Sequence, residues 1–502
     1  MQNYQNLNSF LRPWCLCLLC IQPAVTSAQA ITQIAVPVPS FIGPVTITES
    51  SWPQMAVSRT QTPVDLAQAG YVEEEFLVSG QANVYDWSTD GEVSIVSANA
   101  PYTTRILVRR PADAANSSGN VVVETVNNAR NYDWAFIWAL SWQHFIDNGD
   151  IYVAVTHTPE GLEALRTFNP QRYQSLSFAN PQPRQLCAQD QVPATEEEEG
   201  LRWDMISQVG ALLRSASGPL SAFNVQAVIA STHTRELTTY ANTVHRISAL
   251  PNGEKVYDGF VIKSEYAAAD RIRRCAAAPG NGDTRRTVHN AGVPVIRVTA
   301  QGDVLSTYAV RREDSDTPGD QYRLWEVAGA PHMDKIYYDH MPIPEDQAKT
   351  GQAPFLANWP MAYACTPALN LLDFPVMRYA VNAAFAAMKV WVHDGVTPPR
   401  AERIALNSSN SAFINDEFGN AMGGMRSVYL DVPTATWITN SPGPAVCNNL
   451  GQQRPFAWSQ LEALYGNSDN YRKQVLESLE NLVSQGWLTT EDSTRIAGEL
   501  LP

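Results

Sequence analysis

A chain of 502 residues, 44% hydrophobic and 17% charged, has a globular composition, with room for one large domain with insertions or two to three smaller ones. It carries no collagenous, low-complexity or disordered signature. With 35 Lys plus Arg against 50 Asp plus Glu the formal net charge is -15, which argues against a nucleic-acid partner, since such binding rests on basic side chains neutralising phosphates.

Residues 1–30 differ from the rest. They hold no acidic residue, one basic residue (Arg12), an apolar run from Trp14 to Ile21 and an Ala28-x-Ala30 site just before Ile31. This pattern predicts a secretory signal peptide, and the run is too short to span a bilayer. Leu19 stands before Cys20 where a lipoprotein site needs a small residue. No other segment is long and apolar enough to cross a membrane, so the mature chain is expected to be exported, periplasmic or extracellular, without a transmembrane segment. Cys187, Cys275, Cys365 and Cys447 would remain after cleavage, and in an oxidising compartment they allow two disulfides in three connectivities. No C-x-x-C pair or His/Cys cluster at metal spacing occurs, and neither metal nor cofactor is expected.

Residues 31–70, rich in Pro, Ser, Thr and Gln, read as an extended lead-in. Alternation at Glu75 to Val78 and the run Thr104 to Val108 predict strands at the edge of a mixed sheet. Val121 to Val126 predicts a strand ending in Asn127 and Asn128, followed by an aromatic-rich helix from about Tyr132 to Ile146 and a strand at Ile151 to Val155. The acidic run Glu196 to Glu199 reads as a solvated surface. A helix is predicted over Asp204 to Arg214, with Met205, Ile206, Val209, Leu212 and Leu213 on one face. Strands follow at Val225 to Ile229, Val293 to Thr299 and Arg323 to Val327. Strands alternating with helices predict the α/β class, with a mostly parallel central sheet covered on both faces. The boundaries expected are 1–30 for the signal, 31–345 for the core and 346–502 for a C-terminal helical cap or lid packed on it. That last stretch includes helices near Met377 to Val392 and at Asn470 to Gln485, the second stopped by Gly486.

The chemistry centres on Ala230-Ser231-Thr232-His233-Thr234, between the strand at 225–229 and a helix beginning near Arg235. A strained strand-to-helix elbow carrying a nucleophile wants small residues two positions to either side. Thr232 as centre has Ala230 and Thr234 there; Ser231 as centre has Ile229 and His233. Acyl transfer also needs an imidazole, a carboxylate to orient it and donors for the oxyanion. Asp303 follows the strand at 293–299 and His332 the strand at 323–327, which gives the order nucleophile, acid, histidine. Oxyanion donors are expected from the residue after the nucleophile, His233 if that is Thr232, and near Asn127 or Asn128. Arg235 either meets a substrate carboxylate or pairs with Glu236 at the surface.

The stretches Ala100-Pro-Tyr-Thr-Thr-Arg-Ile-Leu-Val-Arg-Arg-Pro, Val121-Val-Val-Glu-Thr-Val-Asn, Val293-Pro-Val through Gly302-Asp-Val, Trp325-Glu-Val-Ala-Gly-Ala-Pro-His and Gly423-Gly-Met-Arg through Asp431-Val-Pro-Thr-Ala-Thr-Trp carry a resemblance over nearly all of the mature chain. It resembles the bacterial-type alpha/beta hydrolase domain proteins, which implies an alpha/beta-hydrolase fold and a likeness to exported serine esterases. The family's elbow is similar to G-x-S-Q-[ST]-G, from which this chain departs at several positions, and Gln301 stands where an acidic residue is expected. Two functions are therefore expected: hydrolysis of a small-molecule carboxylic ester or related acyl bond through Ser231 or Thr232, His332 and Asp303, or a pseudo-hydrolase that binds a small acyl or apolar ligand. General-base chemistry by His332 without any nucleophile, as in a lyase, is a third.

Overall fold

The computed structural model describes residues 33–88, 92–183, 187, 197–233, 235–264, 269–354 and 375–501. The expected signal segment, Cys365 and Thr234 lie outside the described residues. Gln33–Pro502 forms one compact unit.

The strands in chain order are β1 (Ile34–Ala35), β2 (Ser40–Ile42), β3 (Tyr71–Trp87), β4 (Val93–Pro111), β5 (Asn120–Thr125), β6 (Ile151–Val155), β7 (Ala227–Thr232), β8 (Ser248–Ala249), β9 (Gly259–Ser264), β10 (Val295–Ala300), β11 (Tyr322–Val327), β12 (Ala435–Ile438) and β13 (Gln452–Pro455). Nine of them make one sheet in the order β11-β10-β9-β7-β5-β6-β4-β3-β2. From β11 to β6 all neighbours are parallel. The β4-β3-β2 edge is antiparallel, with β3 and β4 forming a long hairpin.

The parallel strands are apolar along their length because both faces are covered. Every residue of β5, β6, β7, β10 and β11 is buried. Alternate side chains serve the two layers. Val122, Ile229 and Val298 meet the helices Phe136–Asn148 and Val376–Asp394 on one face. Val121, Val123, Val228 and Ala230 meet the helices Arg202–Arg214 and Glu236–Asn242 on the other. The helix Val376–Asp394, in the stretch 346–502, packs on the sheet against β9, β10 and the helix Phe136–Asn148.

Two expectations change with the packing. Glu196 lies outside the described residues, and the rest of the acidic run is not a solvated surface: Glu198 is buried and accepts from the backbone N–H groups of Gly200 and Arg274, while Glu197 pairs with Arg166 and Glu199 with Arg271. Glu236 is buried as well, so it does not form a surface pair with the exposed Arg235. Of the described cysteines, Cys187 is bonded to Cys275, and Cys447 is also disulfide-bonded. Among the described residues no helix is long and apolar enough to cross a membrane.

Candidate active site

The ends of β7, β9, β10 and β11 lie side by side, and the residues that follow them make the site. After β10 the chain turns directly into the helix Gln301–Thr307, with Asp303 buried in its first turn. After β11 the loop Ala328 to Pro331 delivers His332. The two loops are tied together: Gly329 N–H donates to Gln301 Oε1 at 2.7 Å, and Gly302 N–H to Ala330 O at 3.0 Å. Gly302 permits this approach, since a Cβ there would sit 3.0 Å from His332 N. The result is a 2.8 Å bond between His332 Nδ1 and Asp303 Oδ1.

A third group, unforeseen in the sequence, completes this pair. Lys263 on β9 is fully buried, its Nζ 3.9 Å from Asp303 Oδ2 and donating to His332 O at 3.2 Å. A lysine closing the apolar run Phe260-Val-Ile was the available signal, because a buried ammonium needs a partner. Burial alone would raise the Asp303 carboxyl; His332, Lys263 and Arg297 outweigh it and hold the group below the usual carboxylate range. Asp303 is thus ionised and accepts from Nδ1–H, and in the neutral imidazole this leaves the lone pair on Nε2.

At the elbow the strand runs further than its apolar residues indicate, through Thr232. Ser231 and Thr232 are both in register with β5 and β9 rather than at the turn. Ser231 Oγ donates to Val261 O at 2.7 Å. Thr232 Oγ1 lies 2.5 Å from Glu236 Oε1 and 3.2 Å from Thr125 O, and Thr125 Oγ1 donates to the same Glu236 oxygen at 2.6 Å. His157 Nε2 stands 3.8 Å from that oxygen. The first residue past the strand is His233. Its ring stacks on Phe136 at 4.4 Å between centroids and meets Tyr337 and His332 in edge-type contacts at 5.5 Å and 5.4 Å. Burial, then Lys263 and His332, push His233 well below the ordinary histidine range, so the ring is neutral.

Of the expected oxyanion region after β5, one backbone N–H and one side chain are engaged. Asn127 exchanges both backbone hydrogen bonds with Trp134, and Asn128 Nδ2 donates to Thr158 Oγ1 at 2.5 Å. Arg235 is exposed at the start of the helix Glu236–Asn242. The structure therefore brings together Asp303, His332 and His233, adds Lys263, Phe136 and Tyr337, and ties the two hydroxyls to Val261 O and to Glu236.

A parallel sheet in this order, with an acid and a histidine on successive strand ends beside a strand-to-helix elbow, defines the alpha/beta-hydrolase class. The chain belongs to the alpha/beta hydrolase domain family, whose model matches residues 41–498. No curated protein matches the sequence. Among solved structures it is similar to an esterase from Rhizomucor miehei at 11% identity, covering 70% of this chain and 94% of that one with a TM-score of 0.30. A carboxylesterase from Lactobacillus plantarum WCFS1 shares 9%, over 50% and 76% of the two chains, with a TM-score of 0.25. A glucuronoyl esterase from Solibacter usitatus also shares 9%, over 51% and 77%, with a TM-score of 0.26. No activity of this chain follows from these distant likenesses.

Proposed function

We propose that this chain is an exported hydrolase of a carboxylic ester or related acyl bond, with His332 as general base and then acid and Asp303 as the group that orients it. The observation that carries the reading is the 2.8 Å bond from His332 Nδ1 to the buried Asp303, which selects the tautomer with a basic Nε2. A hydroxyl nucleophile on Ser231 or Thr232 would first have to leave Val261 O or Glu236. Attack by water needs no such step: its oxygen bonds to the acyl carbon as its proton passes to Nε2, and that proton then leaves with the alcohol. Such a site is slow, since catalytic sites stripped of a triad member retain about 10³–10⁴-fold over water. The disulfides at Cys187–Cys275 and Cys447 support export, because such bonds persist in oxidising compartments.

One observation favours a second reading. Both candidate hydroxyls are hydrogen-bonded inside the protein, Ser231 to Val261 O of β9 and Thr232 to Glu236 at the head of the next helix, as they would be in a pseudo-hydrolase that binds a small acyl or apolar ligand without turnover.

The test is turnover of aryl and alkyl esters by the mature protein and by His332→Ala, beside intact-mass analysis after a small fluorophosphonate. Turnover lost in His332→Ala with an unchanged melting curve supports the hydrolase, and equal turnover in the variant overturns the role of His332. A fluorophosphonate adduct on Ser231 or Thr232 would replace water with a hydroxyl nucleophile. Ester binding without turnover by either protein establishes the second reading.

A further inference from the structure

We propose that His233 is a covalent nucleophile, carrying the acyl group as an acyl-imidazole between the departure of the alcohol and the attack of water. The inference rests on the hydrolase reading for its second step, in which His332 deprotonates the water, and inserts an acyl-enzyme before it.

Position is the first argument. β7 ends at Thr232, and the helix Glu236–Asn242 begins three residues beyond His233. His233 therefore opens the strand-to-helix turn, the place where this architecture presents a nucleophile. Its ring centroid is 5.4 Å from that of His332, the imidazole already oriented by Asp303.

The second argument is an unmet hydrogen-bonding demand. His233 is only 1% exposed, and neither ring nitrogen has a hydrogen-bond partner among the described residues. A buried polar group left unpaired is destabilising and rare in native proteins, and its persistence needs a reason. Stacking on Phe136 would be served equally by an apolar ring. A nitrogen left without a protein partner, so that it can bond to an electrophile, supplies the reason. Burial, with Lys263 and His332 nearby, keeps the ring neutral and its lone pair available.

The chemistry names a substrate class. The lone pair of His233 attacks the acyl carbon, the N–C bond forms, and the C–O or C–S bond to the leaving group breaks. The leaving group departs with the proton from the other nitrogen of His233. Water then attacks the acyl-imidazole, its proton passes by way of His332 Nε2 to His233, and acid and free imidazole result. Imidazole is itself a good leaving group, so the forward step succeeds only when the departing oxygen or sulfur is a weak base. Aryl esters and thioesters meet that condition and simple alkyl esters do not.

Two probes test this. Turnover of p-nitrophenyl acetate reads the hydrolase; p-nitrophenyl N,N-dimethylcarbamate, whose carbamoyl-imidazole product is long-lived, traps the nucleophile for peptide mapping. The expected result is one equivalent of nitrophenol from the carbamate with the adduct on His233. His332→Ala still forms that adduct but loses acetate turnover. His233→Gln and His233→Ala form none and lose about 10²-fold or more in acetate turnover, the scale of a contributing catalytic group, with melting curves showing which variant is folded. Acetate turnover that depends on His332 but survives in a folded His233→Gln, without an adduct, overturns the nucleophile and leaves the hydrolase standing. An adduct on Ser231 or Thr232 also overturns it. An adduct on His233 without acetate turnover supports the nucleophile and counts against the hydrolase.

Discussion

Asp303 is buried and still ionised, a state that exists only because His332, Lys263 and Arg297 surround it. Asp303→Asn keeps the shape but replaces an acceptor with a group that can donate, which favours the wrong tautomer of His332. Ester turnover should fall toward the uncatalysed rate, a loss bounded by the enhancement of about 10³–10⁴-fold that such a site retains. The same carboxyl links stability to acid. Its folded pKa is depressed, so its contribution is complete above the ordinary Asp value and is lost as pH falls through the lowered one. Acid unfolding of Asp303→Asn should accordingly be less steep than that of the parent, and parallel acid curves would remove the carboxyl from this role. Ser231 stands in contrast. Its hydroxyl bonds to Val261 O within the sheet, so Ser231→Ala should cost about 1 kcal/mol of stability by denaturant titration and leave ester turnover unchanged. Turnover abolished in a folded Ser231→Ala would return the nucleophile to that hydroxyl.

Among the elements, β5 shows how a strand residue governs a neighbouring helix. Glu124, fully buried near the end of β5, accepts from the Ile137 and Trp138 N–H groups at the start of the helix Phe136–Asn148 and from Tyr152 OH at 2.5 Å. The helix terminus favours its charge, but burial is the larger effect and raises the carboxyl from 4.5 to about 7. A raised folded pKa means that the stabilising contribution is complete below the unfolded value. It is lost as pH climbs toward 7, a total of roughly 3 kcal/mol. Glu124→Gln cannot titrate, so melts at pH 4.5 and pH 8 should show the parent losing its advantage over the variant across that range. Parallel pH dependences would rule the linkage out. β7 shows where the sequence stops being legible. Buried parallel strands announce themselves as apolar runs, so β5, β6, β10 and β11, with Asp303 and His332 behind the last two, could be read directly. The apolar run of β7 ends at Ile229, yet its ladder continues through Ser231 and Thr232, whose hydroxyls find acceptors in Val261 O and Glu236. Small polar residues fit a strand end and a turn equally well. Only the pairing with β5 and β9 distinguishes them, and the three-residue extension puts His233 at the elbow. Lys263 escaped notice for the same reason: its partner Asp303 is forty positions away in sequence and is brought close only by the β9–β10 pairing.

For the molecule as a whole, the Cys187–Cys275 bond encloses 88 residues of separation that contain β7, His233 and β9 with Lys263. Closing a loop of that size restricts the unfolded chain by about 4–5 kcal/mol in the chain-entropy model. The folded segments do not depend on the bond for their placement. Trp203 Nε1 donates to Ile272 O at 2.6 Å, Arg274 N donates to Glu198 Oε1 at 2.8 Å, and Arg202 pairs with Asp270 at 3.0 Å. The disulfide therefore acts mainly on the unfolded state. The double variant Cys187→Ser/Cys275→Ser should lose about 2–5 kcal/mol in a denaturant titration and melt a few degrees lower, with ester turnover per folded molecule unchanged. Loss of turnover in proportion greater than loss of folded protein would instead make the bond a support of the site. The same reasoning bears on compartment, since a protein stabilised to this extent by disulfides is disadvantaged in a reducing cytosol. Expression with residues 1–30 intact should give more folded protein than expression of residues 31–502 in a reducing cytoplasm, and the double variant should narrow that difference.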